Sequence, residues 1–560
     1  MCRLARSTRV FSVKFRLIKV GLSFFLLLAH TVVSAQISGR VLDQDQLPIA
    51  GAIVRVQALE NSPEVTTAAN GTYTLNFTPT SSVGISAAKA YDHAPGAKNY
   101  ASNVFSGVTQ PTGGVDITLQ PLTPSVLAGY QPETANSCGG CHGRYRTDWL
   151  TSNHASSATN TWVKDLFSGN GTPGGAAGYV FKDTHGMGES GFCATCHAPL
   201  QDVFTPGLLQ FDAISTPAGL DGVTCMGCHQ LANVNAAQIN GLHHVNKSSY
   251  HFSPDIVLQV FGALPDVETG TMFNVYNPLF KQPLLCASCH QYNNPTTGAP
   301  GQSTFTEWTA SPYAVPGPGF KTCQDCHMPR ETNSGTIAST SSVVRPASQR
   351  HRHTFIGATQ VTLPQAIQVS VSSAVQGSEL AVSASVLNQG AGHAFPTGVS
   401  IRNAVLLVRA RTRSGANLAL ASGPVVPAWA NDDVPGVQPG DWASLPGRGY
   451  AKVLEGRING QGATVRPVLF IDAEAVAESN VIASGATDTS SYRFTLPAGV
   501  SAADVDVEAT LYYRRAFRAL AVTKGWNTTP RGGPVQYPVN RACVSGNGAL
   551  CDGLLADGFE

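Results

Sequence analysis

Residues 137–154 read SCGGCHGRYRTDWLTSNH. Cys138 and Cys141 are three apart, His142 follows at once, and His154 comes twelve residues later. The stretch therefore offers two thiols, an adjacent imidazole and a second imidazole within reach. The pattern recurs four times: CATCH at 193–197, CMGCH at 225–229, CASCH at 286–290 and CQDCH at 323–327. This composition would yield roughly 0.01 such matches by chance.

Two thiols at this spacing can add to the two vinyl groups of one haem, and the next residue then lies under the iron. The sequence predicts five covalently attached c-type haems, each with its iron. The attachment pairs are Cys138 with Cys141, Cys193 with Cys196, Cys225 with Cys228, Cys286 with Cys289, and Cys323 with Cys326. His142, His197, His229, His290 and His327 are the adjacent iron ligands. Zinc fits less well. C-x-x-C pairs do bind tetrahedral zinc, but a histidine directly after every pair has no part in such a site. Five pairs also do not divide into whole four-cysteine sites. Thiol–disulfide exchange would use one such pair, not five.

Each iron has a second axial position. Outside the motifs the region offers His154, His185, His243, His244, His251, His351 and His353, and His393 lies just beyond it. The expected distal ligands are His154, His185, His244, His353 and His393. His154 is expected to serve the first haem or a neighbour. An internal repeat bears on this. DWLTSNHA at 148–155 and EWTASPYA at 307–314 share acid-Trp-x-x-Ser-x-(His or Tyr)-Ala, and each precedes a C-x-x-C-H-x-Pro. The copies align Tyr313 with His154. Either a distant histidine replaces the missing one, or that iron is open.

Outward from the motifs, 560 residues are enough for several domains. Charged residues are 13% and the formal net charge is +1, which excludes a basic nucleic-acid footprint. Glycine, with 56 residues, and proline, with 35, favour loops and β-structure. Arg3, Arg6, Arg9, Lys14, Arg16 and Lys19 precede an apolar run from Val20 to Val33 and then VSA. This reads as a secretory signal over 1–35. No later stretch is apolar and long enough to span a bilayer once it is removed. An exported protein, periplasmic or at the cell surface, is expected.

Residues 36–122 alternate apolar and polar side chains around turns, as strands do. From 123 to 358 the periodicity fades, and five haems, as large apolar plates, are expected to replace a side-chain core. Over 359–530 the alternation returns in AIQVSVSSA, ELAVSASVLN, NAVLLVRART, SYRFTLPAG and VDVEATLYYR. The expected fold class is multidomain: an N-terminal β-sandwich, a haem-cored irregular or α middle domain with little regular structure, and a C-terminal β-sandwich. Residues 531–560 are expected to be a tail with a Cys543–Cys551 disulfide, which export permits.

GRVLDQDQLPIAGAIVRV and AANGTYTL resemble the carboxypeptidase-regulatory-like β-sandwich, a spacer or adhesive module with no chemistry of its own. DWLTSNHA, the CHAP and CHMP endings, HTFIGA, and GAGHAFPTG followed by LYYR resemble the multihaem cytochromes related to hydroxylamine oxidoreductase. That resemblance implies closely stacked haems with mostly two histidines each. Motif starts lie 55, 32, 61 and 37 residues apart, so haems two and three, and four and five, are expected as neighbours. An electron carrier is expected rather than an enzyme, with redox proteins, other cytochromes or copies of itself as partners. A reductase or oxidoreductase of small nitrogen or sulfur compounds with one open haem, and a subunit of an extracellular conductive polymer, are the alternatives.

Overall fold

The computed structural model describes residues 35–238, 248–253, 258–431, 439–547 and 551. The chain is β-rich at both ends and irregular between. At the N-terminus, Gln36–Leu42 pairs antiparallel with Thr72–Asn76 and parallel with Ile117–Thr118. A second sheet runs Glu64–Thr66, Ile53–Val56, Val83–Ala88, Asn103–Val108. Alternate residues of both sheets, among them Ile37, Val41, Val54, Val56, Leu75 and Ile85, form one buried cluster. Gly71, at φ +75°, closes the turn that the Asn-Gly pair announces.

At the C-terminal end, one sheet runs Ile367–Gln376, Glu379–Asn388, Thr487–Thr495, Leu420–Ser422. The other runs Ala475–Ser479, Gly447–Glu455, Asn403–Thr412, Val505–Arg514, Gln536–Ser545. Leu380, Val382, Val386 and Phe494 of the first sheet pack on Leu406, Val408, Val507 and Leu511 of the second. The opposite face of the second sheet, with Val405, Leu407 and Val453, is covered by Trp429 and Phe517. Burial on both faces explains why NAVLLVRART reads as a nearly unbroken apolar run.

Part of the expected tail is a strand. Gln536–Ser545 pairs along its length with Val505–Arg514. Its register slips between Leu511 and Tyr512, opposite Pro538. A proline lacks an N–H and is tolerated at such a bulge, so Pro538 masked the strand in the sequence. Cys543, on this strand, is disulfide-bonded to Cys551.

Between the sandwiches lie one-turn helices and two-stranded ribbons. Both sandwiches are tied to this region. Lys524, fully buried, donates from Nζ to the carbonyls of Asp165, Gly175 and Tyr179 at 3.2, 2.6 and 2.6 Å. The Asp165 carboxylate accepts from Trp526 Nε1 at 2.7 Å and from Gly171 N and Thr172 N at 2.8 Å. Trp526 stacks on Trp162 with ring centres 4.3 Å apart. On the N-terminal side, Asp266 pairs with Arg345 at 2.7 Å, both side chains 1% exposed, and accepts from Ala58 N at 2.8 Å.

Candidate functional site

All five motifs fold as short helices that end at or beside their histidine: Ala135–Cys141, Cys193–His197, Cys225–His229, Leu284–His290 and Cys323–His327. Threonines start three of them. Thr134 accepts from Ser137 N, Thr224 from Gly227 N and Thr322 from Asp325 N, each at 3.3 Å. Such caps satisfy N–H groups that a helix start leaves without partners. The two sulfurs of each motif thus share a helix face, as the spacing requires.

Four motif histidines turn Nδ1 onto a backbone carbonyl. The pairs are His142 with Ile337 O at 2.7 Å, His197 with Ser157 O at 3.0 Å, His229 with Phe261 O at 2.6 Å, and His327 with Ile356 O. A proton on Nδ1 leaves the lone pair on Nε2, the tautomer that metal-bound histidines adopt. His290 instead has its Nδ1 3.4 Å from Gln302 Nε2.

Three motif histidines face a second histidine. Ring centres are 6.2 Å apart for His290 and His154, 6.3 Å for His229 and His353, and 6.3 Å for His327 and His393. An imidazole nitrogen sits ~2.0 Å from a first-row metal and ~1.1 Å from its own ring centre, so two imidazoles across one metal stand ~6.2 Å apart. All three pairs have this spacing. His353 Nδ1 lies 3.1 Å from His351 O and His393 Nδ1 2.9 Å from Ala394 O, repeating the tautomer pattern. Burial holds His154 at a pKa of about 4, with His197 and His327 adding to the effect, and burial and His229 do the same for His353. Both rings are neutral at physiological pH, as a ligand must be. Phe355 packs edge-on between them, 4.5 Å from His154 and 5.9 Å from His353.

Of the two partners left open for His154, the first motif or a neighbour, it faces a neighbour, the fourth motif. Tyr313 does not stand alone: a side chain at Gly392 would touch both Tyr313 and Trp308, and the next residue is His393. That histidine, from the loop beyond the haem motifs, stands near Tyr313 and faces His327 of the fifth motif. His185 is not brought to a motif histidine. Its Nε2 lies 2.8 Å from Asp472 Oδ1 and its Nδ1 2.9 Å from Thr184 Oγ1, so neither nitrogen is left for a metal. The acid that captures it is 287 residues away, beyond local pattern reading. His251 is likewise engaged, with Nε2 2.9 Å from Gln259 Oε1. His351 Nδ1 is 2.6 Å from Met328 O, beside the fifth motif. His243 and His244 lie outside the described residues.

The motifs touch in pairs. The Cys138 and Cys225 thiols are within hydrogen-bonding reach of each other, and so are those of Cys286 and Cys323. The fourth and fifth motifs adjoin, as expected from their short gap. The third adjoins the first, and it also meets the second, where a side chain at Gly227 would touch Pro199. His154 is electrostatically close to His197 and His327, which brings the second, fourth and fifth motifs around it. Tyr250 is buried near Cys289, Cys228 and Cys196, at the meeting of the fourth, third and second motifs. Among the described residues no three His, Cys, Asp or Glu side chains converge to hold a metal ion by themselves. No helix among them is long and apolar enough to cross a membrane.

No protein-family model matches the chain, and no curated protein matches it. Among solved structures it is similar to a penta-heme cytochrome c552 from Thermochromatium tepidum, at 20% sequence identity and a TM-score of 0.50. The match covers 74% of this chain and 98% of that one. The likeness is one of fold.

Proposed function

We propose that the chain is an exported pentahaem c-type cytochrome that passes electrons along closely spaced haems, most of them held by two histidines. The observation that carries this reading is the spacing of the three histidine pairs, 6.2 to 6.3 Å between ring centres. Each pair begins at a C-x-x-C-H motif, and the fold likeness to a penta-heme cytochrome agrees. Haem, when bound, supplies a one-electron couple. The protein does the rest. His154, His353 and His393 would hold the irons of the fourth, third and fifth haems from the side opposite the motif histidines and so would keep substrate from them. The cysteines fix the edges of the haems. The contacts of Cys138 with Cys225 and of Cys286 with Cys323 would set two haems side by side in each pair. His185 is dropped from the ligand set, and His244 remains a candidate for the first or second haem. The signal-like N-terminus supports export to the periplasm or cell surface, where redox proteins or copies of itself would be the partners.

Intact-mass analysis of the denatured exported protein tests the cofactor: five haem masses are expected, and none with bound zinc would reject it.

One observation favours the enzyme alternative. Tyr292 Oη is buried without a hydrogen-bond partner, and Tyr179 Oη is buried beside Asp472. Both tyrosines feel Cys193 of the second motif and Asp472. If a substrate site exists it belongs there, not at Tyr313. Reduced protein that binds carbon monoxide at one haem, with an infrared stretch moved by Tyr292→Phe, would support it.

A further inference from the structure

The acid-Trp repeat has a job that the haem motifs do not explain. In the first copy, the Trp149 indole donates to the carbonyl of Val223 at 2.8 Å, two residues before Cys225. In the second copy, the Trp308 indole donates to the carbonyl of Lys321 at 3.0 Å, two residues before Cys323. Each tryptophan therefore holds the entry to a motif helix: the third motif in one copy, the fifth in the other.

The acid beside each tryptophan reaches the opposite side of the same pair. Asp148, 4% exposed, accepts from the backbone N–H of His353 at 3.2 Å and from Arg352 Nε at 3.2 Å. His353 faces His229 of the third motif. Glu307 accepts from Thr397 Oγ1 and lies 3.6 Å from Lys452 Nζ. Thr397 is four residues after His393, on the same loop, and His393 faces His327 of the fifth motif. Thr304 Oγ1, on the Glu307 helix, also meets Thr397 Oγ1 at 3.0 Å.

We infer that Asp148–Trp149 and Glu307–Trp308 are paired positioning residues: each dyad braces both axial histidines of one haem, the third and the fifth respectively. This rests on the cytochrome reading. It also redefines the repeat. One unit is a motif, a bracing helix and the motif braced: first motif, Asp148–Trp149 and third motif, then fourth motif, Glu307–Trp308 and fifth motif. The cysteine contacts join the same motifs, Cys138 to Cys225 and Cys286 to Cys323. The second motif is an insertion in the first unit.

The test uses the full-length, haem-loaded protein and carbon monoxide binding after reduction, quantified per chain. His353→Ala is expected to open one haem. Asp148→Ala is expected to open one haem as well, and the double variant still one, because both act at the same iron. Glu307→Ala with His393→Ala should behave likewise at a different iron. An unchanged Asp148→Ala protein, or two open haems in the double variant, overturns the inference. If Asp148→Ala does not accumulate, Asp148→Asn is read by electron paramagnetic resonance. Its shifted low-spin signal should vanish in the His353→Ala background, and persistence there overturns the inference. A His353→Ala protein with five haems and none opened would instead reject His353 as a ligand, which is a failure of the cytochrome reading and not of the brace.

Discussion

Histidine chemistry is decided here by which nitrogen is occupied. His154, His353 and His393 stand across from motif histidines with spacing for one metal between. His185 spends both nitrogens on Asp472 and Thr184. The contrast gives a two-sided prediction. His154→Ala should convert one low-spin haem to high spin and let it bind carbon monoxide. His185→Ala should leave the low-spin count unchanged, as read by the same spectra. Loss of a low-spin haem in the second variant would return His185 to the ligand set. The motif histidines and cysteines were legible because their spacing is local. Distal partners were legible as candidates only, since a free imidazole and one held by a carboxylate look alike until the chain folds.

Elements were read best where burial repeats with a fixed period. Glu379–Asn388 and Val505–Arg514 coincide with the alternating runs that announced them, and Asn403–Thr412 with its apolar run. Gly447–Glu455 and Gln536–Ser545 were missed because glycine, lysine and proline interrupt their patterns. The clasp between the haem region and the C-terminal sandwich had no sequence signal at all. Asp165 and Lys524 are each fully buried but 359 residues apart. Asp165→Ala would leave Trp526 Nε1 and two backbone N–H groups without acceptors, at a cost of about 3 kcal/mol. Thermal unfolding should fall accordingly, with haem content intact in the protein that remains folded. A melting temperature equal to wild type would mean the clasp carries no load. The Cys543–Cys551 bridge closes the far edge of the same sandwich, so its reduction should leave the haem spectrum as it was.

At the scale of the whole molecule, the sandwiches hold the ends of a middle region whose own apolar clusters are small, the largest built on Leu200, Val203, Met226, Leu231 and Tyr250. The N-terminal sandwich is joined through the buried Arg345–Asp266 pair. Breaking one partner of a buried pair costs about 3–5 kcal/mol. Asp266→Asn should therefore loosen the N-terminal sandwich, seen as a larger radius in small-angle scattering and faster proteolysis near residue 122, with all five haems retained. An unchanged radius would show that the remaining contacts suffice. The central claim is that histidine pairs across this fold each grip one iron. Quantitative electron paramagnetic resonance of the oxidised full-length protein tests it most directly. The account predicts low-spin bis-imidazole signals integrating to at least three haems per chain. Iron that is mostly high-spin, or no haem signal at all, would contradict it.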